Sequence, residues 1–129
     1  MKQKFRTENY ADARELIHSV KDKEFVDALA NMITAHLTDP EMNVDFICSE
    51  MGMSRTKLYQ KIKKITGQSI GDLVRTIRLK NAAALMTQED ISLTDVMYRV
   101  GIQTQSYFTK AFKKEFGKTP SQFLKDLNK

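Results

Sequence analysis

The stretches LYQKIKKITG (58–67) and FTKAFKKEFG (108–117) follow nearly the same pattern, and the two copies start 50 residues apart. Each runs from an apolar residue through a Lys-Lys pair to a glycine. Each also follows a short apolar segment that breaks at a glycine, VDFICSEMG (44–52) and LTDVMYRVG (93–101). A helix, a glycine break and a second helix with polar and basic residues is typical of a helix-turn-helix. The sequence therefore predicts two such motifs, and these point to DNA.

Positive charge is concentrated in the same two places. Residues 54–80 contain 8 Lys/Arg and one acid, Asp72, and residues 99–118 contain 5 Lys/Arg and only Glu115 as an acid. The segment between them, 81–98, has no Lys/Arg and 3 acids, and residues 1–53 have 6 Lys/Arg against 10 Asp/Glu. One basic run alone is often only a solvated face. Two runs that coincide with the second helix of each motif indicate phosphate neutralisation.

The composition limits the class of protein. The 129 residues are 41% hydrophobic and 29% charged, which is typical of a globular chain of one or two small domains. No apolar run approaches the roughly 20 residues of a membrane span, and the start, MKQKFRTENY, has no signal-peptide core. A single cysteine, Cys48, excludes an internal disulfide and fits a reducing compartment. We therefore expect a cytoplasmic protein without membrane contact.

Hydrophobic periodicity predicts an all-α fold of about seven helices, in two similar halves joined by one long helix. We expect a linker or flexible lead-in over 1–21, belonging to a larger protein, and a first helix-turn-helix subdomain over 22–69. A linker helix follows over 70–86, and a second subdomain covers 87–129. The predicted helices are 24–37, 44–51, 55–66, 70–86, 93–100, 105–116 and a last one near Pro120. The predicted N-caps are Asp22, Ser54, Ser69, Ser92 and Thr104, and Asp39-Pro40 should end the first helix.

The apolar stripe of each second helix indicates which residues face outward. Leu58, Ile62 and Ile65 should be buried in the first copy, and Phe108, Phe112 and Phe116 in the second. Residues near the first turn of such a helix reach base edges, and Arg55 lies on the flank of that turn. Lysines farther along are better suited to phosphate. The predicted phosphate contacts are Lys57, Lys61, Lys64, Lys113 and Lys114.

The residues from about Phe25 to Leu127 resemble the DNA-binding domain of the AraC/XylS family. The stretch GIQTQSYFTKAFKKEFGKTPSQF (101–123) is similar to the C-terminal signature of that family, with its glycine turn, S-Y-F, F-K-K-x-F-G and T-P-S-x-[FY]. IRLKNAAALM (77–86) is similar to its linker helix, and GMSRTKLYQKIKKITGQS (52–69) to its first recognition helix. The three motifs occur in the family's order and spacing.

The resemblance implies a bacterial transcription regulator whose two recognition helices enter successive major grooves on one face of double-stranded DNA. RNA polymerase is an expected partner, and self-association is possible. The stretch VDFICSEMGMSRTKLYQKIKKITG (44–67) is also similar to output domains at the C-terminal end of hybrid two-component regulators. Gln105 departs from the family pattern, since many members have proline there. The resemblance implies base contacts at Thr56, Tyr59, Gln60, Gln105, Ser106 and Lys110. Arg55 is added to the expected base contacts because of its place beside the first turn.

Other functions have weaker support in the sequence. Cys48 lies on an apolar stripe without an evident base, and His18 and His36 lack metal-ligand spacing. No paired carboxylates or Gly-rich phosphate loop point to catalysis, so we expect no enzyme, no metal and no cofactor. RNA binding lacks a predicted sheet platform. The main alternative is a basic helical protein-interaction module, which the acidic first part of the chain would suit.

Overall fold

The computed structural model describes residues 2–39 and 41–128, with side chains from Ser19 onward. Within these ranges the chain is all-α, as predicted, with seven helices and no strand. The helices are α1 (Lys2–Ala35), α2 (Val44–Met51), α3 (Arg55–Thr66), α4 (Ile70–Gln88), α5 (Leu93–Arg99), α6 (Gln105–Phe116) and α7 (Pro120–Leu127).

Side-chain caps fix the start of most helices. Ser54, Ser69 and Ser92 each accept a hydrogen bond from the backbone N–H three residues on, which confirms these three predicted N-caps. Asn43 caps α2 in the same way by accepting from Phe46 N, and this cap was not among the predicted ones. Thr104 takes the extended N-cap backbone but makes no side-chain cap hydrogen bond, so α6 begins without that support.

The first helix is much longer than predicted. It runs unbroken from Lys2 to Ala35, so Asp22 lies inside it and the predicted N-cap at Asp22 is wrong. An N-cap needs extended backbone, but no Gly or Pro interrupts residues 2–35, and the helix continues. Residues 2–21 are therefore helical, and their role as a linker stays a prediction. Pro40 lies outside the described residues, and the helix ends five residues before it.

Two separate cores hold the chain together. The first joins α1, α2, α3 and the beginning of α4, and its buried members are Leu29, Ile33, Leu37, Met42, Ile47, Leu58, Ile62, Ile70, Leu73 and Ile77. The second joins the rest of α4 with α5, α6 and the partly buried apolar face of α7. Its buried members are Leu79, Ala82, Met86, Val96, Val100, Ile102, Phe108 and Phe112.

Helix α4 contributes its first part to one core and the rest to the other. Ile77 closes the first core and Leu79, two residues on, opens the second. Ala82, near the middle of the predicted linker helix, is 0% exposed in the second core. The buried residues of α4 therefore all pack into one core or the other, and none forms an unpacked spacer. The predicted domain limits stay a prediction.

Candidate nucleic-acid interface

Helices α3 and α6 have the same length and the same arrangement of buried and exposed positions. Each has 12 residues, and positions 50 apart correspond, because Arg55 and Gln105 both start a helix that a left-handed glycine ends. Leu58 and Ile62 are buried in the first helix, and Phe108 and Phe112 are buried at the same positions in the second. The outward residues therefore correspond as well. The corresponding pairs are Thr56 with Ser106, Gln60 with Lys110, and Lys64 with Lys114.

All twelve residues predicted to contact DNA have exposed side chains. The structure places them in two groups, one on the outward surface of each half. The exposed residues are Arg55, Thr56, Lys57, Tyr59, Gln60, Lys61, Lys64, Gln105, Ser106, Lys110, Lys113 and Lys114. Their exposure is thus compatible with DNA contact, and the contacts themselves stay a prediction.

The side chain of Arg55 is directed toward α2 by an ion pair. Its Nη2 lies 2.8 Å from Asp45 Oδ1, and its Nε donates to the same oxygen at 2.9 Å. The hydrogen bond and the negative charge of Asp45 raise the pKa of Arg55 above its ordinary value. A base contact by Arg55 would require this exposed pair to open. Arg55 is therefore placed less directly for reading bases than Thr56 or Gln60.

Three of the predicted phosphate-contacting lysines share one flank of α3. Lys57, Lys61 and Lys64 line a groove beside α1 together with Gln60, and Asp22 is the acidic residue in that lining. Lys61 Nζ lies 4.3 Å from the centroid of the Phe25 ring on α1, a cation–π contact. This contact directs the Lys61 ammonium toward α1.

Two residues that the sequence did not single out lie at the α6 surface, Tyr107 on α6 itself and Arg75 on α4. Arg75 of α4 and Tyr107 line a groove with Lys110 and Lys114. Arg75 Nη2 pairs with Asp72 Oδ1 at 3.0 Å, and Tyr107 is 47% exposed. Helical spacing gave a signal for Tyr107, since it precedes Lys110 by three residues and Lys114 by seven. Arg75 had no such signal, because only the fold brings α4 beside α6.

Other kinds of site find little support among the described residues. No group of three His, Cys, Asp or Glu side chains there could hold a metal ion. No helix in these ranges combines the length and the apolar composition that a membrane span needs. Cys48 packs against the first core, and His36 Nδ1 lies 2.9 Å from the carbonyl oxygen of Met32. The side chain of His18 lies outside the described residues.

Comparison with known proteins identifies the family. The sequence pattern of a helix-turn-helix domain family matches residues 47–126, from within α2 almost to the end of α7. The chain is also 34% identical to the probable transcription factor PqrA of Proteus vulgaris, over 64% of this chain and 67% of that protein. The chain belongs to the AraC-type helix-turn-helix family. This is a family of DNA-binding transcription regulators, and the resemblance noted in the sequence is confirmed.

Two further relatives are, or belong to, larger proteins that contain a similar domain. The chain is 31% identical to histidine kinase P4 of Formosa agariphila over 95% of its own length, but it spans only 9% of that relative. Among solved structures, it is similar to the C-terminal domain of AraT, a response regulator from Geobacillus stearothermophilus. That match has a TM-score of 0.69 and 28% identity, and it covers 79% of this chain and 84% of the other.

Proposed function

We propose that this AraC-type domain binds specific sequences of double-stranded DNA by inserting α3 and α6 into successive major grooves. The observation that carries the proposal is a pair of helices of equal length and matching register, each with an exposed polar and basic face. Helix α4 packs into the cores of both halves and so connects them. The major groove admits an α-helix and displays a distinct donor and acceptor pattern for each base pair. Two such helices would read two stretches of sequence.

The chemistry of the outward residues suggests how the work divides within each helix. Gln60 and Lys110, at corresponding positions, can hydrogen-bond base edges, and Thr56 and Ser106 offer hydroxyl groups near the first turn. Lys64 and Lys114 lie two turns farther on, where a positive charge suits a phosphate. We propose the same base-reading role for Tyr59, Gln105 and, after its ion pair opens, Arg55. Lys57, Lys61 and Lys113 complete the proposed phosphate contacts.

The relatives support a place for this domain in a signalling protein. One matched relative is named as a histidine kinase, and the other is the C-terminal domain of a protein named as a response regulator. We propose that this chain is likewise the output part of a cytoplasmic two-component regulator and acts by binding rather than catalysis. RNA polymerase is the partner that a DNA-bound regulator of this kind would contact, and self-association of the chain stays a second proposed contact.

Selection of bound sequences from a random duplex pool tests the proposal directly. We expect an asymmetric site with two conserved blocks about 10 base pairs apart, centre to centre, because one monomer supplies both reading helices. A footprint should show protection in two successive major grooves. Binding should also weaken steeply with salt, since several lysines would displace counterions from phosphates.

The same experiment can reject the proposal. If no sequence is enriched and the affinity for duplex DNA hardly changes with salt, the basic faces serve a protein partner instead. If a single block is enriched and one groove is protected, only one of the two helices reads DNA.

A further inference from the structure

The two halves meet at one arginine of α4. Arg78 lies between Ile77 of the first core and Leu79 of the second, and its side chain is half-buried. Its Nη1 donates to the carbonyl oxygen of Leu37 at 2.9 Å and to that of Val100 at 2.6 Å. Leu37 lies two residues beyond the end of α1 in the first half, and Val100 is the C-cap of α5 in the second half. A single nitrogen thus donates to both halves.

Both acceptors are of the kind that needs a donor. The last carbonyl groups of a helix have no partner within the helix, and they carry the negative end of its dipole. The Arg78 guanidinium supplies a positive charge and a rigid donor to the C-cap carbonyl of α5 and, at once, to a carbonyl in the turn that follows α1. Burial lowers its pKa from the ordinary value, and Tyr107 nearby acts in the opposite direction. The group stays charged and therefore binds both carbonyl oxygens strongly.

Gly101 closes the same joint from the other side. Its φ is +73°, and a Cβ there would come closer than 3.0 Å to the Leu37 carbonyl oxygen and to Arg78 Nη1. Gly52 is the corresponding turn glycine of the first half, with φ of +65°, yet a Cβ there would meet nothing within 4 Å. Both glycines serve a left-handed turn, but only Gly101 also lets the halves approach.

We propose that Arg78, Gly101 and the carbonyl oxygens of Leu37 and Val100 form an interdomain latch that fixes the orientation of α6 relative to α3. Arg78 is then a positioning residue for recognition of two grooves, an inference that rests on the proposed function for its consequence at DNA. Two linked binding units gain affinity only when their geometry lets both engage. A latch that stops the second core from rotating about α4 supplies that geometry before DNA arrives.

A distance measurement without DNA tests the latch itself. Spin labels are attached through Glu50→Cys on α2 and Ser121→Cys on α7, both exposed, in a Cys48→Ala background. We expect one narrow distance distribution for the parent chain. Arg78→Met, which removes the donor, and Gly101→Ala, which obstructs the approach, should each broaden or shift it. Gly52→Ala is the matched control, because it carries the same left-handed strain without touching the joint, and it should leave the distribution unchanged.

DNA binding then tests the consequence. Arg78→Met and Gly101→Ala should weaken binding to a selected two-block site by about tenfold or more, since the linked gain is lost. Binding to a duplex with either block alone should stay within about twofold of the parent chain. Arg78→Lys keeps the charge but not the planar fork, and we expect an intermediate loss. Gly52→Ala should bind the two-block site as the parent does.

The outcomes separate the latch from the proposed function. Unchanged distances in both Arg78→Met and Gly101→Ala would overturn the latch, whatever the DNA results. Equal losses in Gly52→Ala and Gly101→Ala would assign the effect to turn strain and also overturn it. If the parent chain binds no selected site, the proposed function fails, while the distances still decide the latch. Should Arg78→Met not fold, as judged by its thermal melting, Arg78→Lys and Gly101→Ala decide the outcome.

Discussion

Individual side chains give the two halves different reading chemistry on one scaffold. Gln60 and Lys110 occupy corresponding positions, but a glutamine amide suits the donor and acceptor pair of adenine, while a lysine suits the acceptors of guanine. The difference favours two unlike sequence blocks and therefore an asymmetric site. Where positions carry the same residue, as at Lys64 and Lys114, the side chain suits phosphate, which has the same chemistry at every step of the duplex.

Gln60→Ala and Lys110→Ala should each lower discrimination between the selected site and random duplex. A lost base contact costs on the order of 1–3 kcal/mol of binding free energy. In repeated selection, each variant should lose its base preference in one block only, and the two variants should differ in which block that is. The measurement is repeated selection together with affinity for the parent site. If both variants bind and select as the parent does, neither residue reads a base.

Lys64→Ala and Lys114→Ala should weaken binding to all duplexes alike. Each lost phosphate contact flattens the dependence of log affinity on log salt by about one unit, whereas the selected sequences should not change. Titrations at several salt concentrations measure the slope. Lys125→Ala, an exposed α7 lysine outside both predicted faces, serves as the control. A slope equal to that of the parent would remove that lysine from the phosphate contacts.

Phe112→Ala should destabilise the second half. Phe112 is 0% exposed, and its ring centroid lies 5.7 Å from that of Phe108, 4.6 Å from that of Phe116 and 5.4 Å from that of Phe123. Truncation of such a buried aromatic costs roughly 3–5 kcal/mol. Thermal or urea unfolding measures the loss, and Tyr98→Ala, at a side chain 75% exposed, should leave stability nearly unchanged. Normal melting with lost DNA binding would show that Phe112 faces the DNA.

The helices show which sequence signals are strong. The bounds of α2, α3 and α6 were predictable because serine caps or terminal glycines mark them within the local sequence. The start of α1 was not predictable from the sequence. Residues 1–21 have few apolar side chains, so Asp22 was interpreted as the N-cap of a helix that in fact begins at Lys2. Exposed helical residues need only adequate propensity, so a sparse apolar pattern did not rule out a helix there.

The caps of the two reading helices make a matched comparison. Ser54 Oγ accepts from Lys57 N at 3.2 Å, whereas Thr104, at the equivalent place, makes no cap hydrogen bond with its side chain. Ser54→Ala should therefore cost about 1 kcal/mol of unfolding free energy, the usual loss for a cap. Thr104→Ala should cost clearly less. Urea unfolding of both variants measures the difference, and equal losses would contradict this account of how α6 begins.

The molecule as a whole depends on contacts that no local pattern reveals. The two reading faces follow from periodicity within α3 and α6, so the sequence was enough to predict them. The joint between the halves was not predictable, because Arg78 reaches Leu37 across 41 positions of the chain and Val100 across 22. In the sequence Arg78 is one cation within a basic run. Likewise Ala82 reads as a helix former in a linker, and only the packing of α5 and α6 shows that it is core.

A rigid pair of reading helices should tolerate only one spacing between its two DNA blocks. Adding about 5 base pairs turns the second block to the opposite face of the duplex, and adding about 10 restores the face but moves the block a further 34 Å or so. Because α4 is packed into both cores, the domain cannot extend by that length, and both insertions should reduce the affinity to that of a single block.

A pair joined by a flexible tether would regain affinity at the longer spacing, where both blocks again face the same way. Affinities for the three spacings, beside duplexes with one block scrambled, measure the effect. Recovery of tight binding at the longer spacing would show that the halves move independently, and the two cores would then fix the fold of each half without fixing the distance between them.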